Sequence, residues 1–286
     1  MGSSMAEPSE IAVDDGLPCA EVGAWAELKY RLFVLYASLF SKGMKYKWDE
    51  RVYIDLYAGA GFSRVRGTTK IIAGSPILAL TVDDPFDKYI FCEQDPQLLS
   101  ALRERTARIA PASNVAYIPG DCNSRIDDIL AQIPPASREH TVLGLCFVDP
   151  FGIGIKFDTL RRLSTRYLDF LCLLAVYMDA NRNYARYLSE DSRKVDEFLG
   201  SADWRQKWTS VQAQGAYFPK FLAEEFAASM KSLEYIPPPL YTMKEVRSDE
   251  KNLRLYYLAL FSRDERAYEF WTQVLKYGTD QRSLEF

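Results

Sequence analysis

The sequence predicts an α/β protein built on a mostly parallel seven-stranded sheet that finishes in an antiparallel hairpin. Three observations predict it. Short apolar stretches alternate with helical ones between residues 52 and 176, the order that builds a parallel sheet with crossover helices. The first four of these stretches run into an acid: Asp55, Glu93, Asp121 and Asp149. The chain then closes with two β-like stretches around a polar turn, which reads as a hairpin and not as another crossover.

Taken in order, residues 1–22 read as a polar, acidic, disordered segment, and 23–286 as one domain carrying a helical insertion over 180–236. Trp25 to Phe40 forms an added helix. Its Trp25, Leu28, Leu32, Leu35 and Leu39 share a face, a stripe that reads as core packing. The first strand, with Val52 and Ile54 apolar, runs through Asp55-Leu56-Tyr57-Ala58-Gly59-Ala60-Gly61-Phe62. Gly59 and Gly61 remove side chains where the backbone bends, so a ligand can come close. A dinucleotide fingerprint asks for a third glycine opening into a helix. Here Arg64 holds that position, and Arg66 and Lys70 follow it in a basic loop. No Gly-Lys-Ser or Gly-Lys-Thr phosphate loop occurs. Asp-x-x-x-Gly-x-Gly therefore suits S-adenosylmethionine better than a dinucleotide, with an ordinary glycine turn as the plain alternative.

Gly74-Ser75-Pro76 starts the next helix, Ser75 capping it and Pro76 taking the first helical position. The second strand, Lys88 to Cys92, ends at Glu93. A carboxylate there can accept both ribose hydroxyl hydrogens. A solvated loop acid, or a cap for the helix near Pro96, is the other reading of Glu93. The third strand, Val115 to Ile118, leads into Gly120-Asp121-Cys122. Asp121 stands where an adenine amine would be met, though Gly-Asp also fits a simple turn. The fourth, Val142 to Val148, is apolar throughout, as for a strand covered on both faces, and ends in Asp149-Pro150-Phe151-Gly152. Leu168 to Val176 is the fifth.

Asn181 to Glu234 then shows helical spacing with Trp204, Trp208, Phe218, Phe221 and Phe226, an insertion too long for a plain connection. Pro237-Pro238-Pro239 ends it. Leu240 to Val246 and Leu253 to Ser262 are the last two strands, turning at Ser248-Asp249-Glu250-Lys251. Asp264 caps a final helix reaching Lys276.

Several classes of function are disfavoured. No apolar run approaches the ~20 residues of a membrane helix, and no charged-then-apolar signal pattern opens the chain, so a cytoplasmic protein with no membrane partner is expected. The five cysteines (Cys19, Cys92, Cys122, Cys146 and Cys172) lack Cys-x-x-Cys spacing, and the one histidine, His140, lies in a loop. No metal site is expected. No Gly-x-Ser-x-Gly elbow points to a hydrolase.

With these residues in place, the chain resembles class I S-adenosylmethionine-dependent methyltransferases. Asp55 to Gly61 is similar to their glycine motif, with Tyr57 where many members carry glycine. The aromatic variant looks like nucleic-acid methyltransferases. Asp149-Pro150-Phe151 is similar to the Asp-Pro-Pro-Tyr/Phe motif of amino-group methyltransferases, one proline short. Over nearly its whole length the chain resembles the bacterial three-Cys-motif partner proteins. The matching residues are Trp25, Lys29, Asp55 to Gly61, Gly74-Ser75-Pro76, Asp149 to Gly152 and Met178-Asp179-Ala180-Asn181-Arg182-Asn183. The resemblance implies a Rossmann-like methyltransferase fold with S-adenosylmethionine as cofactor. It implies a cofactor set of Asp55, Tyr57, Ala58, Gly59, Gly61, Phe62, Glu93, Gln94, Asp121, Cys122 and Asp149. It also implies Asp149, Pro150 and Phe151 as the catalytic group.

For an exocyclic amine, the Asp149 carboxylate and Pro150 carbonyl can accept the two amine hydrogens and aim the nitrogen lone pair. Phe151 can stack on a planar ring, as an extruded base requires. Arg64, Asn181, Arg182 and Asn183 are the substrate-side candidates, with amide and guanidinium donors suited to a base edge or phosphate. Helix capping by the asparagines, with solvated arginines, explains the same residues. Net charge is −4, and residues 180–235 hold eight Lys/Arg against eight Asp/Glu, so no basic stripe marks a duplex-binding surface. Two expectations follow. One is a methyltransferase acting on an amine of a nucleobase, nucleotide or nucleic acid. The other is a non-catalytic methyltransferase-like partner of a three-Cys radical S-adenosylmethionine-type protein.

Overall fold

The computed structural model describes residues 12–248 and 252–280. A short strand β1 (Ala20–Val22) precedes helix α1 (Ala26–Met44), and β2 (Glu50–Asp55) follows. Next come β3 (Phe62–Val65), β4 (Ile71–Ala73), α2 (Ser75–Leu80), β5 (Lys88–Glu93), α3 (Pro96–Ile109) and β6 (Val115–Pro119). The second half of the sheet is α4 (Ile126–Gln132), β7 (Val142–Val148), α5 (Phe157–Leu163) and β8 (Leu168–Leu174). A π-helical turn over Val176–Ala180 leads to α6 (Tyr184–Leu188), α7 (Lys194–Leu199), α8 (Trp204–Gln212) and α9 (Phe218–Lys231). The chain ends with β9 (Lys244–Arg247), β10 (Arg254–Phe261) and α10 (Glu265–Asp280).

Seven strands form one sheet in the order β6-β5-β2-β7-β8-β10-β9, with β10 antiparallel to both its neighbours. The other neighbouring pairs run parallel. This is the expected Rossmann-like sheet with its C-terminal hairpin; the hairpin turn at residues 249–251 lies outside the described residues. The order reverses at β2, because β5 and β6 lie on one side of it and β7 and β8 on the other. A cleft therefore opens beyond the C-terminal end of β2, the switch point of open α/β sheets.

Side-chain alternation gives the sheet two apolar faces. Ile54, Ile90, Cys146 and Phe170 face a core shared with α4, α5 and the helical insertion. Tyr53, Phe91, Phe147 and Leu258 face one shared with α1, α2, α3 and α10. The insertion aromatics pack as the spacing predicts, Trp208 lying 4.9 Å from Phe218 and 5.2 Å from Phe221.

Three local expectations differ. In α1, only Leu32 of the predicted stripe is fully buried. Lys29, Phe33, Tyr36 and Phe40 form the buried row, with Phe33 4.7 Å from Phe147, because the helix lies flat on the sheet while α10 covers its flank. The basic loop at 62–73 is instead a hairpin, β3 with β4, joined in parallel by β1 into a small second sheet. Residues 12–22, expected to be disordered, are thus ordered; residues 1–11 lie outside the described part.

Asp169 on β8 tests how α1 is seated. It is 8 % exposed and accepts from the Tyr36 hydroxyl, and burial pushes its carboxyl up to about 7. The unfolded acid titrates near 3.9. Between about pH 4 and 7 the folded chain therefore holds a proton that the unfolded chain lacks, so this group's contribution to stability falls as pH rises through that window. Asp169→Asn is expected to lose that component. The Tm difference between variant and wild type should grow in the variant's favour from pH 4.5 to 7.5; a constant difference would count against the shifted carboxyl.

Candidate functional site

The segment after β2 is shaped by backbone bonds before any ligand is considered. Ala58 N–H donates to Cys92 C=O at 2.9 Å, and Gly74 N–H to Gly61 C=O at 2.7 Å. Gly59 and Gly61 have φ of +62° and +81°, a region that glycine enters without steric cost. Space above Gly59 is open, whereas a Cβ on Gly61 would sit 2.9 Å from both Ile77 and Leu102. The first glycine thus frees the cleft floor, and the second lets the floor pack on α2 and α3.

Glu93 closes the turn from the next strand. Its Oε2 accepts from Gly59 N–H at 2.7 Å and its Oε1 from Asp95 N–H at 2.8 Å. Each oxygen keeps a lone pair for a ligand hydroxyl. The helix cap is Asp95, which accepts from the amides of Gln97 and Leu98, so Glu93 is not a capping residue. Asp121 holds its own turn through Asn123 and Ser124, at 3.1 Å and 3.0 Å, while also facing the cleft.

The resulting cleft has a volume of about 710 Å³, within the range of small-molecule sites. Of the predicted residues, Tyr57, Ala58, Gly59, Gly61, Glu93 and Gln94 line it, and so do Asp121, Cys122, Asp149, Pro150 and Phe151. Burial pushes the Cys122 thiol up to about 11, so it serves as a small wall residue and not as a nucleophile.

Other predicted residues do not line it. Asp55 is fully buried behind the turn, accepting from the Tyr53 hydroxyl at 2.8 Å and from Tyr57 N–H at 3.2 Å. Burial pushes its carboxyl up to about 7, opposed by the Ser75 and Tyr53 hydroxyls and the Tyr57 amide. Ser75 spends its hydroxyl there, leaving Gly74 at the helix cap with no side-chain bond. Phe62 is buried under the Arg105 guanidinium, 4.7 Å from its ring. Arg64 pairs with Asp14 at 2.9 Å, and Lys70 with Glu27 at 2.7 Å, so the basic segment is matched to acids of the N-terminal region. Asn181 and Arg182 are exposed outside the cleft.

Asn183 works indirectly. Its amide donates to Asp179 Oδ1 at 2.7 Å, as does the Tyr187 hydroxyl, and Asp179 Oδ2 accepts from Ile153 N–H at 2.7 Å. The π-helical turn thereby holds the loop that carries Asp149-Pro150-Phe151. A Cβ at Gly152 would sit 2.3 Å from Asp179 Oδ2, which explains the glycine after the aromatic. Phe151 itself is 84 % exposed at the cleft mouth.

Sequence reasoning assigned no role here to Lys29, Tyr30 and Tyr256. The Lys29 ammonium lies 2.5 Å from Asp149 Oδ2, with the two side chains 5 % and 13 % exposed. Burial alone would draw the Lys29 pKa down; the adjacent Asp149 carboxylate and Tyr30 together more than offset this and hold the ammonium protonated, while burial pushes the Asp149 carboxyl up against the opposing pull of Lys29. Tyr256 is fully buried in the cleft wall, edge-on to Trp25 at 5.4 Å. The available signal was a lysine inside an apolar helical row, three and four residues before Leu32 and Phe33.

No protein-family model matches the sequence, and no curated protein matches it significantly. Solved structures with a similar fold include protein LPL1258 of Legionella pneumophila, at 11 % identity and TM-score 0.46, covering 86 % of this chain and 90 % of that one. The O-methyltransferase TomG of Streptomyces achromogenes, in complex with SAM, is 10 % identical with TM-score 0.40, covering 80 % and 79 %. Trm1 of Pyrococcus horikoshii, in complex with S-adenosyl-L-methionine, is 8 % identical with TM-score 0.41, covering 87 % and 58 %. These are distant likenesses of fold. Among the described residues no helix is long and apolar enough to cross a membrane, and no His, Cys, Asp or Glu group could hold a metal ion.

Proposed function

We propose that the cleft binds S-adenosylmethionine and transfers its methyl group to an amine on a planar base, as the free base, a nucleotide or part of a nucleic acid. One observation carries this reading: Glu93, Asp121 and Asp149, from the ends of three parallel strands, face one cleft floored by the turn at Gly59. Glu93 would take the ribose hydroxyls, Asp121 the adenine amine, and the open backbone at Gly59 the amino-acid portion. Asp149 and the Pro150 carbonyl would accept the amine hydrogens, while exposed Phe151 stacks on the base.

In the reaction, the nitrogen lone pair forms the new N–C bond as the S–CH3 pair withdraws onto sulfur. The sulfonium becomes a neutral thioether, and the methylated nitrogen sheds a proton to Asp149 or water. The chain's contribution is alignment and acceptor hydrogen bonding, both served without a strong base. A non-catalytic partner of a three-Cys radical protein, the reading the wider family resemblance allows, would need no carboxylate at the acceptor position.

Saturation with S-adenosylmethionine or S-adenosylhomocysteine is expected to raise the melting temperature, while NAD and ATP leave it unchanged. At a hundred times Kd the ligand adds about 2.7 kcal/mol. Glu93→Ala is expected to remove most of this shift. Tritiated methyl transfer to free nucleosides, bulk tRNA and duplex DNA then sorts the acceptor class. No shift with either ligand would sink the proposal.

A further inference from the structure

The methyltransferase reading leaves one feature of its own site unexplained. A carboxylate that must accept amine hydrogens is already bonded to a buried lysine. Lys29 comes from α1, and nothing in the glycine turn or strand ends requires it. Its ammonium also lies 4.3 Å from the Tyr30 ring centroid and 5.7 Å from that of Trp25, so the cation is enclosed on its remaining sides. Asp149 Oδ2 is taken by Lys29, while no hydrogen bond occupies Oδ1 among the described residues. Beside them, the Tyr256 hydroxyl is buried in the cleft wall with no hydrogen-bond partner among the described residues. A buried hydroxyl left unpaired is costly, and a site that expects a polar ligand group accounts for it.

We propose that Lys29 is a positioning residue for the acceptor: it anchors the Asp149 carboxylate as an anion through Oδ2, leaving Oδ1 and the Tyr256 hydroxyl, together with the Pro150 carbonyl, as the polar contacts that receive the acceptor group. This rests on the methyltransferase reading of the same site. The chemistry requires such an anchor. A buried carboxylate with no cation beside it takes up a proton, and a carboxylic acid would donate to the amine nitrogen and tie up the lone pair that must attack. Lys29 itself is no general base, because the pair keeps it protonated. Its charge is balanced by Asp149, so it adds no net repulsion against the incoming sulfonium. The other titratable groups around Asp149 are Tyr30 on α1, Asp55 on β2 and Tyr256 on β10, with Asp179 also lining the cleft. Lys194 also lines the cleft, but among the described residues Lys29 is the cation that acts on Asp149. With Lys29 removed, burial of Asp149 and the neighbouring carboxyl of Asp55 would favour protonation of Asp149.

The test follows Asp149 directly, without any acceptor. The full-length protein is labelled with carbon-13 at the aspartate carboxyls, and the Asp149 resonance is assigned by its loss in Asp149→Asn. Its titration is recorded with and without saturating S-adenosylhomocysteine. Lys29→Met is expected to raise the Asp149 midpoint by about one pH unit or more, and Lys29→Arg to leave it within about half a unit of wild type. Lys29→Gln serves as a second neutral variant if Lys29→Met does not fold. With the acceptor found by tritium transfer, Lys29→Met should lose turnover at neutral pH and regain it as pH rises past the new midpoint, with KM for S-adenosylmethionine unchanged. An unmoved midpoint in the neutral variants, or a turnover loss equal at every pH, overturns the proposal. Failure of wild type to bind either ligand would instead remove the methyltransferase reading, while the titration of the ligand-free protein still decides whether Lys29 sets the charge of Asp149.

Discussion

Asp149→Ala is expected to abolish methyl transfer and also to destabilise the fold, and the two losses are separable. Turnover should fall by on the order of 10²-fold or more, because the acceptor loses the group that aligns it. Stability should fall because Lys29, 5 % exposed, is left as a buried cation without its partner. Breaking a buried pair from one side costs about 3–5 kcal/mol. The double variant Lys29→Met, Asp149→Ala removes both charges and should recover most of the lost stability in urea unfolding, with turnover still absent. Binding of S-adenosylhomocysteine should persist in the double variant, since Glu93, Asp121 and the glycine turn are untouched. Recovery of turnover in that variant would show that Asp149 does not act on the acceptor.

Arg105→Met is expected to give the largest loss of stability away from the acceptor. Arg105 is 2 % exposed, yet belongs to neither the glycine turn nor the cleft lining. Its guanidinium pairs with both oxygens of Asp15, at 2.6 Å and 2.9 Å, and donates to the carbonyls of Leu17 at 3.2 Å, Pro18 at 2.9 Å and Ala60 at 2.8 Å. One side chain on α3 thus ties the segment before β1 to the turn itself. Methionine removes every one of these donors and leaves Asp15, 11 % exposed, with only the Leu17 amide at 3.1 Å and a looser contact to Arg108 at 3.8 Å. A loss of about 3–5 kcal/mol follows. Because Ala20 and Val22 of the same segment line the cleft, affinity for S-adenosylhomocysteine should fall as well. Hydrogen exchange at residues 17–22 should quicken well before that at β2. Unchanged exchange there would mean that the segment is held by the β1–β3 pairing alone.

How far the site is legible in the sequence depends on the range of the interactions. Glu93, Asp121 and Asp149 are legible because a parallel strand delivers the residues at and just past its end to the same sheet edge whatever the rest of the chain does. Gly59 and Gly61 are legible for the same reason, since a tight turn is a local demand on φ. Lys29 is not, because its partner lies 120 residues away and a lysine in an apolar row has no local meaning. The same holds for Arg64 and Lys70, which read as a basic loop until Asp14 and Glu27 pair with them. Asp55 stands between the two cases. Its place at the strand end is local, but whether it faces the cleft or the core depends on Tyr53 and Ser75 converging behind it.

By itself, the sequence determines the alternating α/β order, the seven strands, the C-terminal hairpin and the glycine turn with acids at successive strand ends. Each follows from periodicity, strand length or turn chemistry within a few residues of chain. Only the tertiary structure decides what each acid does. It buries Asp55 behind the turn, sets Glu93 against the Gly59 amide, and brings Lys29 from the N-terminal helix onto Asp149. It also converts a segment rich in arginine and lysine into a paired small sheet. The physical reason is that burial and charge pairing are properties of a residue's surroundings, and those are assembled from distant parts of the chain only when the layers close.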